Sequence, residues 1–386
     1  MKTLARSAVE MPSSGIREIV HVAMTMPEAI RLEVGEPNFS TPPHIIEAAY
    51  RAASEGFTKY LPSAGLSSLR ELLAQRVERV NDYHVTMEQV NVAVGGVQGV
   101  ISTFLALLNA GDEVLMPDPA WPNYEMGLLL REAVPVHYPL YVENAFIPRV
   151  EDLEPLVTER TKLLIINSPS NPTGAVFPEE TIKALVEFAQ KHDLYLLADE
   201  VYDEIIFEGE HISPALYDPE RTISLYSFSK IYAMTGWRIG YVIANKEISK
   251  TISKIQEPQI SCVSSVGQKA AEAALTGPQD CIREMRDSYH ERRDVVVDVL
   301  KEQGYYVYTP NGAFYIMVDI SDSGLDSRQF ALKLLEECKV AIAPGTAFGN
   351  YGRDFIRISL ATEKNLLLEG VQRLCQYIKH LKAERG

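Results

Sequence analysis

Residues 161–205 read TKLLIINSPSNPTGAVFPEETIKALVEFAQKHDLYLLADEVYDEI. Two short apolar runs, TKLLIIN and LYLLADE, flank the segment PEETIKALVEFAQKHD (178–193). The runs have the length and composition of strands buried on both faces. The segment between them has helical periodicity, opened by Pro178 with Glu179 and Glu180 in its first turn, where the helix dipole favours acids. Strand, helix and strand in that order predict a parallel pair joined by a crossover.

The same alternation extends in both directions. LSSLRELLAQRVERV (66–80) places Leu69, Leu72, Leu73, Val77 and Val80 on one helical face. VNVAV (90–94) is a strand ending in Gly95-Gly96, followed by a helical stripe of Val97, Ile101, Phe104, Leu105 and Leu108, with Gly111 expected as its stop. DEVLMP, a helix near 122–131, AVPVHYPL, TISLYSF and RIGYVIAN continue the series. Repeated alternation of this kind predicts an α/β fold, a mostly parallel sheet flanked by helices. After Pro278 the pattern changes to a long charged helix (280–302), YYVYTP, AFYIMVDI, a helix at 326–338, VAIAP, FIRISLA and a terminal helix. This second pattern predicts a smaller α+β domain. The expected division is 46–280 for the large domain, with 1–45 and 281–386 forming the small one.

The totals restrict the function classes. A chain of 386 residues with 46% hydrophobic and 23% charged residues has an ordinary globular composition. Its net charge of −15 argues against nucleic acid, whose phosphates call for clustered lysine and arginine, and against anionic membranes. Cys262, Cys281, Cys338 and Cys375 are widely spaced and lack metal-ligand spacing, so they are expected to be reduced, with no metal site. The opening residues lack a signal-peptide apolar stretch, and Gly99–Leu108 is too short to span a bilayer, so a cytoplasmic protein is expected.

In an open parallel sheet, ligands bind beyond the carboxyl ends of the strands. Four unusual clusters fall at such ends: Gly95-Gly96-Val97, Ser168-Pro169-Ser170-Asn171-Pro172, Asp199-Glu200-Val201-Tyr202, and Ser227-Phe228-Ser229-Lys230. Gly95-Gly96 alone reads as a plain strand-to-helix turn, since it lacks the Gly-x-Gly-x-x-Gly order; it also offers a helix N-terminus to a phosphate. Asn171-Pro172 alone reads as a turn. Asp199, after three apolar residues, needs a cation or donors nearby, and Lys230 could be its ion-pair partner. Together, a lysine amine, a buried acid, a phenol and a phosphate cradle suit Schiff-base chemistry with pyridoxal phosphate. The cofactor aldehyde condenses with an amine, its ring nitrogen needs a carboxylate, and its phosphate needs donors such as Arg238.

NSPSNPTG (167–174), ADEVYDEI (198–205) and SFSKIYAMTGWRIGY (227–241) resemble the class I/II aminotransferases, pyridoxal-phosphate enzymes of fold type I. The resemblance runs from Val34-Gly35-Glu36-Pro37 to Phe355-Ile356-Arg357-Ile358-Ser359. It implies a ping-pong transfer of the amino group of an L-amino acid to a 2-oxo acid. Lys230 is then the Schiff-base lysine and proton shuttle, Asp199 the partner of the ring nitrogen, and Tyr202 the donor to the ring's phenolic oxygen. Asn171 reaches that oxygen or the substrate carboxylate. Ser227, Ser229, Arg238 and the backbone of Gly96 and Val97 hold phosphate, and Trp121 stacks on the ring. Arg357 grips the substrate α-carboxylate, with Gly35 beside the substrate; read without the family, Trp121 is a packing anchor and Arg357 an edge-strand charge. Tyr60 matches a tyrosine that crosses to the other subunit's phosphate, which implies a homodimer with shared sites.

The chain departs from the family at Val97, where a hydroxyl or lysine is common, and at Cys262, where asparagine is common. No role passes to Cys262, and no second substrate-facing arginine can be assigned. A β-elimination lyase or cyclopropane-forming synthase can share the same residues, and a non-catalytic cofactor-sensing regulator is a further alternative. Most such regulators carry an N-terminal DNA-binding module, for which the residues preceding the match are too few.

Overall fold

The computed structural model describes residues 2–385. Its centre is a seven-stranded sheet. After a two-residue strand β1 (Ile30–Arg31), the sheet strands are β2 (Val90–Ala93), β3 (Glu113–Asp118), β4 (Val134–Pro139), β5 (Thr161–Asn167), β6 (Tyr195–Asp199), β7 (Thr222–Ser227) and β8 (Gly240–Ile243). They lie in the order β2-β8-β7-β6-β5-β3-β4, and only β8 runs against the rest. The helix Glu179–Lys191 connects β5 to β6 and buries Ile182, Leu185, Val186, Phe188 and Ala189. With both faces covered, β2, β3, β7 and β8 are buried along their whole lengths.

The C-terminal part builds a second, antiparallel sheet of β9 (Tyr315–Asp319), β11 (Ala343–Pro344) and β12 (Phe355–Ser359), in the order β11-β12-β9. Just before β11, β10 (Val340–Ala341) pairs in parallel with β1. The N-terminal helix Gly15–Ala23 buries Ile19 and Ala23 and packs against β10 and β11. The helix Pro43–Ser54 packs instead on Ser265–Thr276.

Three local expectations are corrected. YYVYTP (305–310) forms no strand: Tyr305 and Tyr308 are buried as anchors, and the Tyr308 hydroxyl donates to the Thr173 carbonyl at 2.6 Å. VAIAP is two short strands rather than one, because β10 and β11 take different partners. The helix after β2 stops at Leu107, not at Gly111: Leu108 is already extended, and the Asn109 amide donates to the Asp112 carboxylate at 2.7 Å. Gly111 sits in the following turn with φ +85°.

Candidate active site

The carboxyl ends of β2, β5, β6 and β7 open onto one cavity of about 520 Å³. It is lined by Gly35, Gly96, Val97, Trp121, Asn171, Asp199, Tyr202, Ser227, Ser229, Lys230, Arg238 and Arg357. Tyr60 alone among the sequence-derived site residues is not brought there; it is 88% exposed, away from its own chain's cavity.

Asp199 ends β6, the central strand of the sheet, and is buried. The Tyr124 hydroxyl donates to its Oδ2, and the Val201 amide donates to Oδ1 at 3.3 Å. Burial pushes the carboxyl up to about 6, and these two donors offset only part of that penalty. Lys230 lies in the short helix Phe228–Ile231 that caps β7, where the Ser227 hydroxyl accepts from the Ser229 amide at 3.1 Å. Its Nζ donates to the Gly35 carbonyl at 2.6 Å and pairs with no carboxylate, so the ion pair with Asp199 is not formed. Burial first, then the nearby Arg357 charge, holds the Lys230 ammonium down at about 8. The two groups most easily neutralised thus face the same space.

Arg357, on β12, is almost fully buried. Its Nη1 donates to Asn171 Oδ1 at 3.0 Å and its Nη2 to the Glu33 carbonyl, while Nε has no partner. The guanidinium packs over the rings of Tyr315 and Phe348, with centroids 4.4 Å and 4.9 Å away. A buried guanidinium with an unmet donor is poised for an anion. Tyr202 and Tyr315 share a hydroxyl hydrogen bond of 2.8 Å. A Cβ on Gly35 would lie 2.2 Å from the Tyr315 hydroxyl, so only glycine leaves that pair intact.

At the other end, Gly96 and Val97 sit in the first turn of the helix Gly95–Leu107. Arg238 takes a left-handed conformation (φ +57°), and its exposed guanidinium donates from Nη1 to the Thr235 carbonyl at 2.7 Å and from Nη2 to the Val94 carbonyl, at this helix start, at 3.5 Å. A Cβ on Gly95 would meet the guanidinium at 2.4 Å, so this cradle is shaped by the missing side chain. These residues fit pyridoxal phosphate. Helix-start amides, two hydroxyls and an arginine stand ready for phosphate, and a buried acid without a cation stands ready for a protonated ring nitrogen.

The class I and II aminotransferase family matches residues 27–374. The chain belongs to that family. It is 39% identical to the aspartate aminotransferase of Pyrococcus horikoshii, over 96% of each chain. Identity to the aromatic-amino-acid aminotransferase 2 of Thermococcus litoralis is 37%, again over 96% of each chain. The solved Thermus thermophilus aspartate aminotransferase with maleate superimposes with a TM-score of 0.94 at 37% identity, covering 98% of this chain and all of that one. The fold is therefore fold type I, and the protein is a pyridoxal-phosphate-dependent aminotransferase acting on amino and oxo acids.

Within this aminotransferase, sequence reasoning passed over Tyr124, Tyr315, Asn167 and Arg17, all of which line the cavity. Tyr124 follows Trp121 closely and is completely buried, and a buried phenol needs a partner. That requirement is the signal that could have found it. Asn167 donates to the Asp199 carbonyl at 3.0 Å and accepts from the Asn171 amide at 2.8 Å, tying the two loops together. On the far side of the 199–205 loop, Glu200 is held by His211 at 2.6 Å, Ser213 and Tyr226, and Arg76 pairs with Asp203 at 2.9 Å. These buried pairs fix the loop that carries Asp199 and Tyr202. Among the described residues, no helix is long and apolar enough to cross a membrane.

Proposed function

We propose that the protein is a cytoplasmic homodimer that transaminates a dicarboxylic L-amino acid, with the cavity residues in separate roles. Pyridoxal phosphate, when bound, supplies an aldehyde that takes up the amino group and a ring that draws electrons from the substrate Cα. Lys230 anchors the cofactor through Nζ and, once released, takes the proton from the substrate Cα; an amine near 8 is partly neutral at working pH. Asp199 holds a proton on the ring nitrogen, Tyr202 and Asn171 hold the phenolic oxygen, and Trp121 covers a ring face. The Gly96 and Val97 amides, Ser227, Ser229 and Arg238 bind phosphate. Arg357 clamps the substrate α-carboxylate beside Gly35. In this reading, 46–280 is the cofactor-binding domain, and 1–45 with 281–386 is the domain that brings the carboxylate clamp.

The observation that carries the reading is the unmet Nε of a buried Arg357 in the same cavity as a lysine without an acidic partner. Substrate class is supported by aspartate in the name of one relative and by maleate, a dicarboxylate, in the solved Thermus thermophilus structure. The dimer is supported by Tyr60, exposed and unused within its own chain.

The test is a panel of amino acids added to the cofactor-loaded protein, followed by absorbance, with ammonia and oxo acid quantified. Aspartate or glutamate should convert the cofactor stoichiometrically, and a 2-oxo acid should restore it. Ammonia released in place of oxo-acid-dependent exchange would overturn the transfer reading in favour of elimination. Sedimentation should give a dimer, and a Tyr60→Phe chain should weaken cofactor binding.

A further inference from the structure

We propose that Asp118 is a positioning residue for the substrate carboxylate, acting through Phe348 on Arg357. The inference rests on the reading above, in which Arg357 binds the α-carboxylate. The Arg357 guanidinium lies against two rings, Tyr315 at 4.4 Å and Phe348 at 4.9 Å. Tyr315 belongs to β9, the strand paired with β12, and is bonded to Tyr202, so the sheet that carries Arg357 also fixes this ring. Phe348 lies outside any strand, in the connection from β11 to β12, and needs an anchor from elsewhere.

Asp118, the last residue of β3 in the seven-stranded sheet, supplies that anchor. Its Oδ2 accepts from the Asn350 amide at 2.9 Å and its Oδ1 from the Tyr351 amide at 3.0 Å. Two residues on, the Ala120 amide donates to the Phe348 carbonyl at 2.7 Å. Gly349, between these contacts, has φ +136°, and a Cβ there would run into the carboxylate. Asp118 is 1% exposed, and among the described residues no lysine or arginine lies within ion-pair distance of it. The basic group within that distance is His137, whose Nδ1 is 4.0 Å from Oδ2. Burial pushes the Asp118 carboxyl up, and the two amides offset part of that cost. A turn that only had to close could rest on a hydroxyl or an amide oxygen, at a smaller desolvation penalty. Two carboxylate oxygens accepting from successive amides fix both the place and the tilt of the turn, and with it the ring over Arg357.

The test compares wild type with Asp118→Ala, Asp118→Asn, Phe348→Leu, Arg357→Lys and the double variant Asp118→Ala/Phe348→Leu. On the cofactor-loaded proteins, kcat and KM are measured with each amino acid that the wild type converts, with cofactor affinity and urea unfolding read alongside. Asp118→Ala should raise KM by about tenfold for all of them, with kcat within about twofold of wild type, as for a contact that serves ground state and transition state alike. Asp118→Asn keeps one acceptor oxygen and should raise KM by less. In the Phe348→Leu background, Asp118→Ala should change KM by less than about twofold, because the ring it positions is gone. Where the alanine chain does not fold, Asp118→Asn is read in both backgrounds in its place. Loss of stability or of cofactor affinity with KM unchanged overturns the proposal, and so does an undiminished effect of the Asp118 variant in the Phe348→Leu background. An Arg357→Lys chain with unchanged KM would overturn the clamp reading itself. A raised KM in Arg357→Lys but in neither Asp118 variant overturns the positioning role alone.

Discussion

Replacing Asp199 by asparagine should make the cofactor-free protein more stable while removing most of its activity. The reason lies in a carboxyl that burial pushes from an ordinary 3.8 to about 6. Because the folded state holds this proton more tightly than the unfolded chain, its stabilising contribution is complete below about pH 4. It is lost as pH rises through the window from 3.8 to about 6 and does not return above that. A shift of roughly two units corresponds to about 3 kcal/mol, at about 1.4 kcal/mol per unit. Asparagine has no proton to lose and still offers an acceptor to the Tyr124 hydroxyl. Urea unfolding of both cofactor-free proteins, at equal protomer concentration, should therefore show Asp199→Asn gaining with pH. About half of the ~3 kcal/mol gap should be present near pH 5 and nearly all of it by pH 7. Adding pyridoxal phosphate should close the gap, since wild type gains a cation for its buried carboxylate and the variant does not. A gap that does not change with pH, or a variant less stable than wild type at neutral pH, would refute the reasoning.

Lys230→Ala should leave the fold intact and abolish borohydride-fixed cofactor, read as a missing mass increment on the peptide; an increment on another lysine would move the anchor. Because the Lys230 ammonium sits at about 8, capture of pyridoxal phosphate by the cofactor-free protein should speed up as pH rises and level off above about 8, whereas a rise continuing towards 10 would mean an ordinary exposed amine. Arg357→Lys should raise KM for every amino acid, by about tenfold or more, because a point charge replaces a two-pronged clamp; equal KM values would place the α-carboxylate elsewhere. Gly35→Ala should lower activity and cofactor affinity together, since its Cβ displaces the Tyr315 hydroxyl and breaks the 2.8 Å bond to Tyr202. Retention of both would show that the Tyr202–Tyr315 pair is dispensable.

The parallel sheet was legible because buried strands such as TKLLIIN and LYLLA carry unbroken apolar runs, and the intervening helix carries its own caps and stripe. Asp199 was legible because it directly follows such a run, and Lys230 and Asn171 because they fall three and four residues after the strands that end at Ser227 and Asn167, where chain order already fixes their place at a strand end. YYVYTP misled because alternating aromatic residues look like a strand, whereas two of its tyrosines are buried as anchors and no partner strand is adjacent. The split of VAIAP was invisible because its two halves bond to segments hundreds of residues apart in one case and a dozen in the other.

The sequence by itself determined the order of elements, the strand ends and the residue types waiting there, since those depend on local periodicity and on short-range polarity. Only the tertiary structure decided that Tyr124 meets Asp199, that Gly35 takes the Lys230 amine, and that Arg17 joins Arg357 around one cavity. Those pairings join residues 75 and 195 positions apart, and in the case of Arg17 and Arg357 opposite ends of the chain. Their geometry comes from how helices and sheets pack against one another, and no local pattern encodes a contact that depends on a packing angle.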